Sequence, residues 1–441
     1  MTPLTRQTQY QQQSGAAFHH WILAACLVIM LLVGTDVVSI VLWQMGLAKK
    51  IEIVLLIPIM GITLLYYRHL IRGMTASPEI TLLICLTVLS ITWSDFPAYS
   101  IERLVPLIVT SGFAIALGSM MSMRGLLIFL AIYFGSSMVL SMGAIMTLPQ
   151  ARGIPPWGDT WNGIYAHKNG LGLAAMTAML TCYYASRQFT GRLKTVFMIG
   201  ALLGVFLLIA SESRTSQVIG LITMSALLIS QIVPRLETIW AIGFILFAVL
   251  FVGTIAFLLA SPIAEPLFAL IGRKPTLSER IPIWELVWPN VKERFWLGWG
   301  YLAHWNENAP HLRFYASKGE LGFLPHYSHN GLLETFLNAG FIGVALLFLG
   351  LMRFFFSVFY CMRHIPQRDP FVFVFVLGMM YLFSNITEST LLSRMSSSWI
   401  FFLAYTTKMN LVARALRADA RAHYELQNRT RRASQFVSKP T

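Results

Sequence analysis

Apolar residues in this chain gather in long, nearly unbroken runs, unlike the alternation of a half-buried strand or the stripe of a surface helix. Runs approaching the ~20 residues that carry a helix across a bilayer fall at 20–45, 51–67, 79–93, 99–120, 125–148, 167–186, 194–210, 214–233, 238–260, 331–356, 370–387 and 395–412. Inside lipid the backbone must satisfy its own polar groups, so such runs are expected to be helices. The pattern predicts an all-α integral membrane protein of about 12 transmembrane helices. Thr35-Asp36 interrupts the first run, which lacks a small-residue cleavage site and is too long for a signal-peptide core. It is therefore expected to remain on the chain.

Two outer polar segments separate these runs. Residues 149–166 are rich in Pro, Gly and Trp, which favours turns. Residues 261–329 form a loop of about 70 residues, a length that is uncommon without a function. Within it, Thr276-Leu277-Ser278-Glu279 has capping-box spacing. A helix is expected from near Ser278, with Pro282 in its first turn and Trp284, Trp288 and Trp296 along an interfacial face. The resulting organisation is a cytoplasmic N-terminus at 1–19, nine helices over 20–260, one large outer loop at 261–329, three helices over 330–412 and a basic cytoplasmic tail at 413–441. That tail reads as a short amphipathic helix fraying into disorder. No repeat of 20–50 residues is visible.

Composition agrees with a membrane protein: 56% of residues are hydrophobic and 12% charged, against roughly 25% charged in soluble domains. The formal charge of +14 does not point to nucleic acid, because its basic residues fall in the expected inner loops and tail. There it signals topology and contact with anionic membrane lipid. Cys26, Cys85, Cys182 and Cys361 are scattered without metal-ligand spacing and read as small apolar residues. No nucleotide-binding loop and no metal-binding triplet occurs, so neither a cofactor nor a metal is expected.

Four polar clusters fall on the expected outer face: His167-Lys168-Asn169-Gly170, Ser211 through Gln217, Ser278-Glu279-Arg280 and His329-Asn330. Ionisable groups at membrane depth are costly and default to functional candidates. Arg214 and Arg280 lie at expected helix N-termini, where free N–H groups and forked guanidinium donors suit phosphate oxygens, and Lys168 adds a point charge. A membrane-embedded diphosphate fits that set. The bland alternative pairs Arg214 with Glu212, and Arg280 with Glu279 or Glu285. His329 is the candidate base, since an imidazole can take a hydroxyl proton near neutral pH. The bland alternative is a headgroup-level histidine that only hydrogen-bonds. Ser213, Asn330 and Glu334 join the binding candidates, although Glu334 lies off the helical face of His329. His304 and His311 read as solvated loop. Asp95 and the Asn385–Glu388 turn could line an acceptor path but read more simply as loop caps.

The chain resembles the O-antigen ligase and Wzy-type polymerase superfamily, and within it exopolysaccharide polymerases of the ExoQ kind. The residues that carry the resemblance are Gly163 through Gly172, Ser211-Glu212-Ser213-Arg214-Thr215-Ser216, Leu277-Ser278-Glu279-Arg280 with Ile283-Trp284, Trp296-Leu297-Gly298-Trp299-Gly300, Ser328 through Glu334, and Asn338 through Gly343. The resemblance implies a GT-C-type membrane glycosyltransferase of the bacterial inner membrane, working on the periplasmic face without nucleotide sugar or metal. It implies a donor glycan on undecaprenyl diphosphate, Arg214 and Arg280 as diphosphate clamps, and His329 as the loop-end histidine. Glu279 and Pro282 around Arg280 depart from the family's usual Gly-Arg-Thr.

The expected function is polymerisation of lipid-linked repeat units, with His167, Lys168, Asn169, Ser213, Asn330 and Glu334 contacting substrate. A flippase and a chain-length regulator are partners expected from the resemblance alone. The alternatives are an O-antigen ligase acting on lipid A-core, which shares the donor chemistry, and a transporter or flippase of a lipid-linked or anionic solute. The second lacks matching polar clusters on the inner side.

Overall fold

The computed structural model describes residues 16–35, 48–153, 160–229, 243, 280–318 and 325–437. The described elements are helical throughout: α1 (Ala16–Gly34), α2 (Ala48–Leu65), α3 (Tyr67–Ala76), α4 (Pro78–Leu89), α5 (Pro97–Met120), α6 (Met123–Thr147), α7 (Lys168–Ser186), α8 (Gly191–Ala210), α9 (Arg214–Ile229), α10 (Arg280–Glu293), α11 (Pro310–Lys318), α12 (Gly331–His364), α13 (Asp369–Thr387) and α14 (Ser397–Val437). Their starts follow local chemistry. Pro78, Pro97 and Pro370 stand in first turns, where a missing N–H costs nothing. Ser122 caps α6 by accepting from Gly125 N–H, and Asn330 caps α12 by accepting from Leu332 and Leu333 N–H.

The expected count of about 12 spans is corrected. Among the described residues, five helices are long and apolar enough to cross a membrane: α5, α6, α8, α12 and α13. A sixth is reached only if the bent pair α2–α3, which turns by 81°, is one span. Among the described residues, nothing in the arrangement identifies a GT-C architecture. The apolar runs mislead for identifiable reasons. The 79–93 run folds into twelve residues of α4 and a 3-10 turn, Ser90–Trp93, and at 1.5 Å per residue such a helix covers about 18 Å of a ~30 Å core. The 167–186 run becomes α7, whose threonines and tyrosines lie largely buried against α6, α8 and α13. A helix hidden from lipid by its neighbours can carry polar groups that a lipid-facing one cannot. The 238–260 run apart from Gly243, and residues 36–45 of the 20–45 run, lie outside the described residues, as does the expected capping box at 276–279.

The larger of two apolar clusters among the described residues is centred on α5, α6, α7, α13 and α14 and filled by Trp399, Tyr133, Phe134, Phe373 and Phe402, while a smaller one joins α10 to the loop around Trp299 and Trp305. Over one end lies a layer built from 280–318 and the kink of α12. At Gly340 the backbone has φ 64° and ψ −166°, so α12 is two helices end to end. The break exposes N–H groups that a helix end must satisfy elsewhere. The loop supplies them: Phe341 and Ile342 donate to Phe295 and Trp296 carbonyls at 2.7 and 3.3 Å, and Trp299 N–H donates to Leu337 O at 2.7 Å. The 296–300 and 338–343 motifs are thus two halves of one docking joint. A second tie is Arg294, which donates to both oxygens of Asp95 at 2.8 Å.

The layer is packed, which corrects the reading of His304 and His311 as solvated. His304 is fully buried, stacked on His311 with ring centroids 4.2 Å apart, and flanked by Trp299 and Trp305. The basic tail is likewise helical as far as Val437, continuing α14 where fraying was expected.

Candidate active site

Five segments bring polar side chains together beside the loop layer: the start of α7, the α8–α9 turn, the start of α10, the approach to α12 and the turn after α13. The last supplies the hub. Asn385 accepts from Thr390 and Leu391 N–H and donates to Tyr381 O and Thr390 Oγ1. That closes a tight turn and projects Glu388 from the end of α13. Glu388 Oε1 accepts from Arg280 Nη2 and from Asn169 Nδ2, both at 2.8 Å. Its other oxygen stands 3.6 Å from His329 Nδ1. At that separation the two groups face one another without a formed hydrogen bond.

Arg280 is buried, with 9% of its side chain exposed, and its carboxylate partner is Glu388, not the Glu285 considered from sequence. Burial pushes the Glu388 carboxyl upward, but His329, Arg280 and Asn169 outweigh it and hold it below the usual carboxylate range. The acid is ionised and shared. One Arg280 nitrogen serves Glu388, and a guanidinium carries five N–H donors in all.

His329 sits in the left-handed region at φ 52°. Such a conformation is unusual outside glycine and persists only where the surroundings enforce it. Here they do. On one side, Ser328 N–H and Oγ both donate to Glu334 Oε2 at 2.9 Å, while Trp284 Nε1 donates to Ser328 O at 2.8 Å. On the other, Asn330 N–H donates to Ser389 Oγ at 3.0 Å and Asn330 Nδ2 to Ile386 O at 3.2 Å. The ring is 27% exposed and lies against Tyr327, ring centroids 4.2 Å apart. Glu334 is buried, and its other oxygen accepts from Trp305 Nε1 at 2.8 Å. It holds the loop end that carries His329.

Asn169 links the hub to α9. Its Oδ1 accepts from Ser213 Oγ at 2.8 Å, and Ser213 exchanges a 2.9 Å contact with Ser216. His167 caps α7 by accepting from Asn169 N–H at 3.2 Å, and burial lowers its pKa, opposed by Glu388. Lys168 opens α7 and Arg214 opens α9. Arg214 is exposed, and among the described residues no carboxylate pairs with either cation, Glu212 included.

The structure therefore gathers Arg280, His329, Asn169, His167, Ser213 and Asn330 around one carboxylate, and sets Arg214 one residue from Ser213. Sequence reasoning undervalued the hub. Glu388 lies 219 residues from Asn169 and 108 from Arg280, with no motif around it. The available signal was a lone acid beside an apolar run, which needs a cation to sit at membrane depth. Chemically, the arrangement offers an imidazole whose Nδ1 faces a carboxylate, which leaves Nε2 to accept a proton. Guanidinium and N-terminal N–H groups beside it suit an anion. Among the described residues, no three His, Cys, Asp or Glu side chains gather closely enough to hold a metal ion.

No curated protein matches the chain. A family model matches part of the chain without singling out exopolysaccharide polymerases, and it leaves His167 to Asn169 and Glu388 outside its bounds. Residues 199–348, which include Arg214, Arg280 and His329, match the family model described as O-antigen ligase (Wzy_C).

Proposed function

We propose that the protein polymerises glycan repeat units carried on undecaprenyl diphosphate, at the periplasmic face of the bacterial inner membrane. His329 Nε2 takes the proton of an acceptor sugar hydroxyl. The oxygen attacks the anomeric carbon of a second lipid-linked glycan, the bond from that carbon to the diphosphate oxygen breaks, and the configuration inverts. The diphosphate leaves with the bonding electrons, met by Arg280 and Arg214 with Lys168. Glu388 orients His329 through Nδ1 and keeps Arg280 in place until substrate arrives. Catalytic contacts of this kind are often long without substrate and tighten in the complex.

The observation that carries this reading is the Arg280–Glu388–His329 cluster at the mouth of apolar helices, inside or beside the region of family likeness. The family description itself favours one second reading, ligation of the glycan to a lipid A-core acceptor. The donor half of the chemistry is common to both. Purified protein given lipid-linked repeat units alone is expected to yield a ladder of longer glycans. Product that forms only when lipid A-core is added establishes the ligase instead. No product with either acceptor overturns both.

A further inference from the structure

At the opposite end of the bundle from this cluster, α3, α12 and α14 line an open recess of about 400 Å³, with Arg414, Arg417 and Arg421 exposed at its rim. The separation follows from α4. Its start, Ser77, bonds to Asn410 beside the recess, while Ser90 at its far end bonds to Tyr301 N–H in the loop layer. Thirteen residues at 1.5 Å each place the two about 20 Å apart.

The floor of the recess is built. Ser357 Oγ donates to Asn410 Oδ1 at 2.7 Å, and Asn410 Nδ2 donates to Ser77 Oγ at 2.9 Å. Both Ser357 and Asn410 are buried. The walls are cationic: Arg353 from α12, and Arg414, Arg417 and Arg421 from α14, with no carboxylate among the lining residues. The spacing of three and four residues sets the last three on one helix face. Arg353 is compensated by Glu79, 2.6 Å away. Arg417 rests on the Tyr360 ring, 4.9 Å from its centroid. Among the described residues, none of Arg414, Arg417 and Arg421 has a carboxylate partner.

Basic residues that merely set topology are spread through loops and need no shared pocket. These converge on a recess with a fixed amide and hydroxyl floor. Forked donors around such a recess suit a tetrahedral oxyanion, and basic pockets between membrane helices hold phosphorylated headgroups. We propose that this recess is a binding site for a phosphate group, carried either by an anionic phospholipid headgroup or by a small soluble phosphate. The inference is independent of the proposed glycosyl transfer.

The test uses full-length protein in detergent. Native mass spectrometry compares retention of phosphatidylglycerol with that of phosphatidylcholine, and thermal unfolding is followed with inorganic phosphate at constant ionic strength. Retention of phosphatidylglycerol is expected to fall at least tenfold in Arg414→Gln/Arg417→Gln/Arg421→Gln and to persist in Arg192→Gln/Lys194→Gln, which alters exposed cations elsewhere. Stabilisation by phosphate that the same triple variant loses identifies the soluble source. Equal binding of both anions by the triple variant and the control overturns the site. If the triple variant does not fold, wild-type protein decides: phenylglyoxal labelling of these arginines is expected to drop when phosphatidylglycerol or phosphate is added, and unchanged labelling with both overturns the site.

Discussion

Glu388 makes the local balance of charge hold: it faces a buried guanidinium and an imidazole and lies below the usual carboxylate range. Removing one partner of a buried pair strands the other, at a cost of about 3–5 kcal/mol. Glu388→Ala is therefore expected to lower the unfolding midpoint and abolish turnover. Glu388→Gln keeps the shape and an acceptor, so it is expected to fold near normally while its kcat falls and its pH–rate profile shifts. A Gln variant with wild-type kcat and profile removes the positioning role. His304 gives a second prediction at this scale. Burial, with His311 beside it, holds its pKa well below the ordinary 6.5. The folded state keeps it neutral while the unfolded chain takes up a proton, so stability is full above about 6.5 and falls as pH drops below it. The slope is up to about 1.4 kcal/mol per pH unit for each proton. His304→Phe should flatten that slope between pH 6.5 and 5 in thermal unfolding, and an unchanged slope excludes His304 as its source. Sequence exposed the reactive residue types here but not their partners. His329, Arg280 and Arg214 stand out as basic residues beside apolar runs, whereas the acid that meets Arg280 and His329 is distant in the chain. Burial of His304 depends on Trp299 and Trp305 folding over it, which local polarity does not reveal.

Among the elements, the joint at Gly340 positions everything above it. The two loop motifs were visible as sequence, but their mutual docking was not, because a helix break is satisfied by backbone groups that any residue carries. The break needs glycine for two reasons. Its φ of 64° is costly for other residues, and a Cβ there would meet the Trp296 backbone. Gly340→Ala is expected to cost more than the ~1–2 kcal/mol of the left-handed conformation alone. Limited proteolysis would then cut 294–318 faster than in wild type. Equal cleavage rates would show that the loop docks without the kink.

For the molecule as a whole, hydrophobicity sufficed for an all-helical membrane protein and failed on the number of crossings. Apolar runs measure how greasy a segment is, while crossing a bilayer also requires an unbroken helix of sufficient length. The 79–93 run fails by length and α2–α3 by its bend. Arg280, His329 and Asn169 meet at Glu388 whatever the number of crossings. Orientation is open to direct chemistry: Tyr327→Cys, at an exposed position beside His329, should react with a membrane-impermeant thiol reagent from the periplasmic side of intact cells.

The central claim is that His329 removes the acceptor proton while the arginines hold the donor. The most direct measurement is turnover and donor binding by purified His329→Ala with an undecaprenyl-diphosphate-linked repeat unit. Donor affinity within a few-fold of wild type, with glycan product reduced at least a hundredfold, is the predicted result. Product formation at the wild-type rate by that variant would contradict the account.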